Sequence, residues 1–241
     1  DNRNAYAVTE NLHKYFSKDE YDQISVSVMS AGRAAEHSWW GALNVSFYDP
    51  RRKLPRLKQA GRGGGGTVLR DKKVLAIAVR KSGFTGKENN PADMTVLQKV
   101  GTKLHREIRD NDDVQCLMRT VGTAHLNLVM NDYDLLPVHN FKFGRSDQIE
   151  AITPEAYKKH FTQGYADGCW HGCSMACAKA VDGFELRTGP DKGQKVTVDG
   201  PEYETAAAIG ANIGIFDPLW TIEANYYADH YALDTISLGT G

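Results

Sequence analysis

Cys169-Trp170-His171-Gly172-Cys173-Ser174-Met175-Ala176-Cys177 gathers three of the chain's four cysteines into nine residues, spaced C-x3-C-x3-C. No other segment constrains the fold as strongly, because thiols this crowded point to a shared metal rather than a disulfide framework. Three thiolates on one short segment can reach three corners of a cubane, with the fourth ligand coming from elsewhere. Two other readings stay open. The cysteines can be buried structural residues, or they can form a zinc site with His171 as fourth ligand, although zinc ligands usually come as recurring pairs two residues apart. The C-x3-C-x2-C spacing of radical enzymes that cleave S-adenosylmethionine is one residue shorter in its second gap. An iron–sulfur cluster fits the run best, and the spacing alone names no enzyme.

Such a cluster implies a reducing compartment, so the cytoplasm is the expected location. A net charge of -1, with 24% charged residues, argues against nucleic acid as the main partner, since phosphate binding calls for a basic excess. There is no run of 18 apolar residues to span a membrane, and Asp1-Asn2-Arg3-Asn4 lacks the apolar stretch of a signal peptide. With 241 residues, 41% of them hydrophobic, the chain can build one large domain or two small ones. It starts without Met and stops soon after the apolar segment Ala232 to Ile236, which reads as a piece of a longer chain.

The first 80 residues predict mixed α and β structure. Val8 to Phe16 has helical apolar spacing, and Ile24 to Met29 is strand-like, closed by Ser30-Ala31-Gly32. Arg51 to Lys58, basic and holding a proline, reads as a surface loop, Val74 to Val79 as a buried strand, and Trp39-Trp40 as core or interface packing. Ser82 to Pro91 is the best linker candidate. Beyond it the pattern turns helical at Met94 to Arg109, Pro154 to Phe161, Glu204 to Ala211 and Pro218 to Tyr231. In the last of these, Asp217 suits the N-cap and Pro218 the first helical position.

Ala60-Gly61-Arg62-Gly63-Gly64-Gly65-Gly66 lets backbone N–H groups approach an anion, with Arg62 adding a charged donor fork. No Gly-Lys-Ser/Thr follows, so this is not a Walker loop. No strand is expected to lead into it, so the dinucleotide fingerprint does not fit either. A flexible surface loop is the bland alternative.

Six segments, in order, resemble the aldehyde ferredoxin oxidoreductase family. They are Ala60-Gly61-Arg62-Gly63-Gly64 with the strand after it, Leu136-Pro137-Val138-His139-Asn140-Phe141, the cysteine run, Gly200-Pro201-Glu202-Tyr203-Glu204-Thr205, Gly210-Ala211-Asn212-Ile213-Gly214-Ile215, and Leu233-Asp234-Thr235-Ile236-Ser237. The resemblance implies an α+β fragment of a three-domain enzyme. Residues 1–82 would end a β-rich domain that cradles the pterin, and residues 83–241 would belong to a mainly helical middle domain that binds cluster and pterin.

It further implies a tungsten (or molybdenum) bis-pterin centre, a 4Fe-4S cluster and a bridging Mg²⁺. The reaction would be oxidation of aldehydes to carboxylic acids, with electrons leaving to ferredoxin from an oligomer or multi-subunit complex. Gln59, Ala60, Gly61, Arg62 and Gly63 are assigned to the pterin phosphates and their Mg²⁺, partly through backbone groups. Asp229, Leu233 and Asp234 fall in the pterin-contacting D-x-x-G-L-D turn, with Ala232 in place of its glycine. Cys169, Cys173 and Cys177 become cluster ligands, with one residue inserted into the usual C-x2-C-x3-C, and Cys116 is a packing residue. Glu204 takes the place of the carboxylate beside the metal, where it would serve as general acid or base; an acid in the first turn of a helix is its structural alternative. His139 is a candidate for lining the substrate pocket. Some relatives hold a metal between subunits through Glu-x-x-His; here that segment is Glu223-Ala224-Asn225-Tyr226, so this metal is not expected. A related acid- or aryl-thioester-reducing enzyme and a non-catalytic iron–sulfur subunit are the alternatives.

Overall fold

The computed structural model describes residues 4–81, 91–162, 167–170 and 173–241. The charged residues Asp1 and Arg3, nearly all of the expected linker, and His171 lie outside these residues. The fold is α+β. An antiparallel sheet of four strands, β1 (Val26–Ala31), β2 (Leu43–Asp49), β3 (Leu54–Ala60) and β4 (Ala76–Arg80), runs in the order β3-β2-β1-β4. Helix α1 (Ala5–Phe16) starts on an Asn4 cap, whose side chain accepts from the Tyr6 N–H, and packs against this sheet. A short helix α2 (Gly65–Asp71) follows the glycine loop directly.

Two expectations are corrected here. Arg51 to Lys58 is not a surface loop: it makes a turn and then the strand β3, in which Leu57 is buried and Arg56 is only 4% exposed. A strand therefore does lead into the glycine loop. The second correction concerns Val74 to Val79. A strand forms there, over Ala76–Arg80, but at the sheet edge, so Ile77 is 45% and Val79 63% exposed. Trp39, 86% exposed, lies outside the core as well.

After α3 (Met94–Gln115) come the short helices α4 (Met118–Val121), α5 (Leu126–Asp132) and α6 (Pro154–Lys158) and then a hairpin of β5 (Ala180–Glu185) and β6 (Lys195–Asp199). Helices α7 (Tyr203–Ala208), α8 (Pro218–Tyr231) and α9 (Thr235–Thr240) complete the described fold. Their core is built on Leu136, Ile152, Tyr157, Val198 and Ile222. The expected cap of α8 is realised, with the Asp217 side chain accepting from the Leu219 N–H and Pro218 opening the helix. Tyr6 on α1 stacks on Tyr226 of α8 at 5.4 Å, tying the first sheet's helix to the second core.

A second bond between the two halves is electrostatic. Asp167 accepts from Arg51 (3.1 Å), Arg52 (3.1 Å) and Arg56 (2.8 Å), while Asp199 receives Arg56 (2.7 Å) and Lys58. Burial pushes the Asp167 carboxyl up, but the Arg52 hydrogen bond and the charges of Arg56, Arg52 and Arg51 outweigh it and leave it below the usual carboxylate value. Buried arginines are tolerated only where paired in this way.

Candidate functional site

The start of β2 organises the site. On one side Leu43 pairs with Ala60 and Asn44 with Gln59, which fixes the strand end that delivers the glycine loop. On the other side the Ala42 N–H donates to the Ala232 carbonyl at 2.7 Å, the Asp234 N–H donates to the Trp40 carbonyl at 3.0 Å, and Gly41 bridges to Leu233. Two segments some 170 residues apart in the chain thus flank one short stretch of backbone. Gly32 makes this approach possible, because a Cβ there would lie 2.3 Å from the Tyr231 carbonyl oxygen.

In the loop itself, Gly64 adopts φ +68 and would place a Cβ 2.4 Å from the Trp39 oxygen, so only glycine fits. Gly61 and Gly63, by contrast, have no heavy atom within 4 Å of an added Cβ. Their open faces form a cradle that a bound group can approach. Gln59 contributes a buried Nε2 with no hydrogen-bond partner among the described residues; Asn44 Oδ1 and Asp229 Oδ2 are buried and unpartnered in the same way. Asn44 also donates its amide to the Asp229 carbonyl at 3.3 Å. These three orphaned groups, one on each of three neighbouring segments, offer both donors and acceptors, as a polar heterocycle with phosphates requires.

The turn at Asp229–Asp234 keeps its expected geometry at Ala232, which takes the left-handed conformation at φ +55 where the expected pattern has glycine. Asp229 points into the protein: burial, with the negative charge of Asp199 adding, pushes its carboxyl well above the carboxylate range, and Tyr6 and Lys58 oppose this. Asp234 caps α9 by accepting from the Ile236 N–H and the Ser237 hydroxyl. Leu233 is half-buried beside an apolar cavity of about 370 Å³ that Trp220 and Tyr227 also line.

Glu204 stands in the first turn of α7, half-exposed, and reaches Arg62 of the glycine loop at 3.4 Å. A cavity of about 120 Å³ opens beside it, walled by Pro137, Phe141, Tyr203 and Asn212. His139 is exposed and sits over Gly214, edge-on to Phe143; Phe141, two residues on, is the one that reaches the cavity. His139, Asn140 and Phe141 all have positive φ. Bonds from the His139, Asn140 and Phe141 N–H groups to Ala211 O, Asn212 O and Asn212 Oδ1 hold this costly left-handed turn in place.

Glu202, which the sequence ranked below Glu204, is the more deeply buried acid and accepts a hydrogen bond from the Thr123 hydroxyl. Burial pushes its carboxyl up, Thr123 pulls it back, and Asp199 adds to the rise. The Glu202-x-Glu204 pair was visible in sequence; the inward turn of its first member was not. Glu223 accepts from Arg187 and Thr188, through both backbone and side chain.

Cys169, Cys173 and Cys177 lie on a loop closed at its base by a bridge between Asp167 and Ala178. Cys169 is exposed, and Cys173, Cys177 and Cys116 are partly buried. Burial pushes the Cys177 thiol up, and Glu202, Cys173 and Cys169 add to it. No three His, Cys, Asp or Glu side chains among the described residues meet closely enough to hold a single metal ion. A multi-iron cluster sets a lesser demand, since each thiolate binds its own iron at a separate corner. Three thiols on one closed loop suit it.

An open glycine cradle, an acid at its edge and a thiol-rich loop, set around one sheet, are the parts of a redox enzyme. Comparison with known proteins supports the same class. Residues 99–241 match the family model described as aldehyde ferredoxin oxidoreductase, domains 2 and 3. Tungsten-containing aldehyde ferredoxin oxidoreductase from Pyrococcus horikoshii is 32% identical over 222 residues, covering 92% of this chain and 33% of the relative. Its counterpart from Pyrococcus furiosus is 33% identical over 188 residues, 76% of this chain and 28% of the relative. The aliphatic sulfonate oxidoreductase, WOR-like subunit, of Pyrococcus furiosus is 30% identical over 235 residues, 95% of this chain and 35% of the relative. The chain belongs to the aldehyde ferredoxin oxidoreductase family, and it spans about a third of the length of the curated relatives it matches. No described helix is long and apolar enough to cross a membrane.

Proposed function

We propose that this chain supplies the glycine cradle, the acid and most of the cluster ligands of an enzyme that oxidises aldehydes to carboxylic acids at a tungsten (or molybdenum) bis-pterin centre. Residues 1–82 end the pterin-cradling domain and residues 83–241 form part of the helical domain over it. The observation that carries the reading is the meeting of Gln59–Gly63, the 229–234 turn and Glu204 around the start of β2, three segments that have no local reason to converge. The cofactor, when bound, supplies a two-electron sink and polarises the reacting oxygen.

What the chain's own residues do follows from their placement. Backbone groups from Ala60 to Gly63, with the Arg62 guanidinium on the phosphates, would hold the phosphates and Mg²⁺ of the pterin, Gln59 Nε2 is the buried donor left to pair with it, and Asp229 shapes the pterin-contacting turn from its inner side. Asp234 and Leu233 hold the turn in register and act through position. Glu204 holds or releases a proton at its carboxylate, kept beside the cradle by Arg62. Phe141, on its strained turn, walls the substrate side together with Pro137, and His139 supports that turn. Cys169, Cys173 and Cys177 would ligate a 4Fe-4S cluster, which would supply a one-electron route between the active site and ferredoxin. An iron–sulfur relay subunit needs neither the glycine cradle nor the acid beside it.

Metal analysis of the full-length native protein, purified without oxygen, tests this reading. Iron, acid-labile sulfide and tungsten or molybdenum are expected, with about four irons per chain for a cubane. Zinc at one per chain without sulfide would overturn it.

A further inference from the structure

Lys179 follows Cys177 by two residues and is only 6% exposed, a rare state for a lysine without a paired charge. Its Nζ donates to the carbonyls of Ala176 and Ala178, at 2.9 and 3.0 Å, the two residues that flank Cys177. Among the described residues no carboxylate comes within ion-pair distance of it. The acids it feels at longer range have other partners. Asp167 is engaged by three arginines, Asp112 accepts from the Met118 and Arg119 N–H groups, and Glu202 takes the Thr123 hydroxyl. Gly200 and Gly122 pack closely along its stem, since a Cβ at Gly200 would lie 2.7 Å from the lysine Cβ and one at Gly122 3.0 Å from its Cγ.

A cation held this firmly in a low-dielectric setting is costly unless negative charge stands nearby to match it. Thiolate-ligated iron–sulfur clusters carry that charge, and their potentials follow net charge and hydrogen bonding around the sulfurs. We propose that Lys179 is the buried counter-cation of the cluster held by Cys169, Cys173 and Cys177, and that it raises the cluster's reduction potential. This rests on the cluster reading above. Taking up one electron makes the cluster one unit more negative, so a fixed cation beside it favours the reduced form. Through its two carbonyl bonds the same ammonium fixes the path of the loop around Cys177, which makes Lys179 a positioning as well as an electrostatic residue.

The test uses the full-length protein, purified without oxygen, as wild type, Lys179→Met and Lys179→Arg. Iron and sulfide are measured first, and the cluster is then titrated with dithionite while its electron paramagnetic resonance signal is followed. Lys179→Met is expected to keep iron and sulfide and to titrate at a more negative potential, with Lys179→Arg close to wild type. The shift should persist in 1 M salt, because a buried charge is poorly screened. Should Lys179→Met lose its cluster, Lys179→Gln, which keeps an N–H donor for the carbonyls, makes the same comparison. An intact cluster with an unmoved potential in the uncharged variant overturns the role of Lys179 and leaves the cluster reading standing. A wild-type protein without iron and sulfide overturns both.

Discussion

Asp167→Asn should loosen the joint between the first sheet and the cysteine loop. The Asp167 side chain is 3% exposed and receives three guanidinium groups, from Arg51, Arg52 and Arg56. Arg56 is as deeply buried. The surrounding network holds four cations (Arg51, Arg52, Arg56, Lys58) and four carboxylates (Asp49, Asp167, Asp182, Asp199). The isosteric amide keeps an acceptor in place but leaves four cations facing three carboxylates. Removing one partner of a buried pair costs about 3–5 kcal/mol, and the three remaining acids hold the cost here to roughly the lower end of that range. Expressed as local opening, 3 kcal/mol is about a hundredfold change in equilibrium constant. Hydrogen exchange on the full-length protein should therefore show the amides of Arg56, Leu57 and Ala178 exchanging about a hundred times faster. Asp182→Asn is the control: its side chain is 30% exposed and pairs only with Arg52 among the described residues, so it should cost about 1 kcal/mol or less. Acceleration under tenfold in Asp167→Asn, or equal effects of the two variants, would refute the assignment of this cluster as the joint.

Three further outcomes are expected. In the complete enzyme Glu204→Gln should lower kcat for aldehyde oxidation about a hundredfold with metal content unchanged, and equal activity would return Glu204 to a helix-terminal charge. Glu202 binds its proton more tightly folded than unfolded, so its contribution to stability falls as pH rises from its unfolded value, near 4.5, through its raised folded value. Glu202→Gln, which has no proton to lose, should gain on wild type in urea midpoints as pH rises above about 4.5; a constant difference would contradict this. Helix α3 exposes Leu97, Val100, Leu104 and Ile108 along one side, so the 241 residues expressed alone should be poorly soluble, and charged replacements at Leu97 and Leu104 should restore solubility. No gain on that double replacement would place the fault elsewhere.

Several features were legible from the sequence because their causes are local. Asp217-Pro218 sets the start of α8 by satisfying a free N–H and pre-setting φ, whatever lies around it. The cysteine run and the glycines of the loop announce themselves by spacing, and the resemblance to the family rests on short segments in order. The misread stretch, Arg51 to Lys58, shows where locality fails. Arginine and lysine with a proline look like a solvated turn, and nothing nearby in sequence says that Asp167 and Asp199, more than a hundred residues on, will neutralise them in the interior. The Val74 to Val79 stretch failed in the opposite sense, since its apolar residues make a strand but only the pairing order leaves that strand at an edge. In the same way Gln59, Asn44 and Asp229 are ordinary polar residues in sequence, and each comes to hold one buried unpartnered atom only once β2 draws the two distant segments to its sides. Propensity, capping and spacing act over a few residues and can be read from the chain alone. Burial of charge depends on which partners arrive from far away, and the folded structure alone decides that.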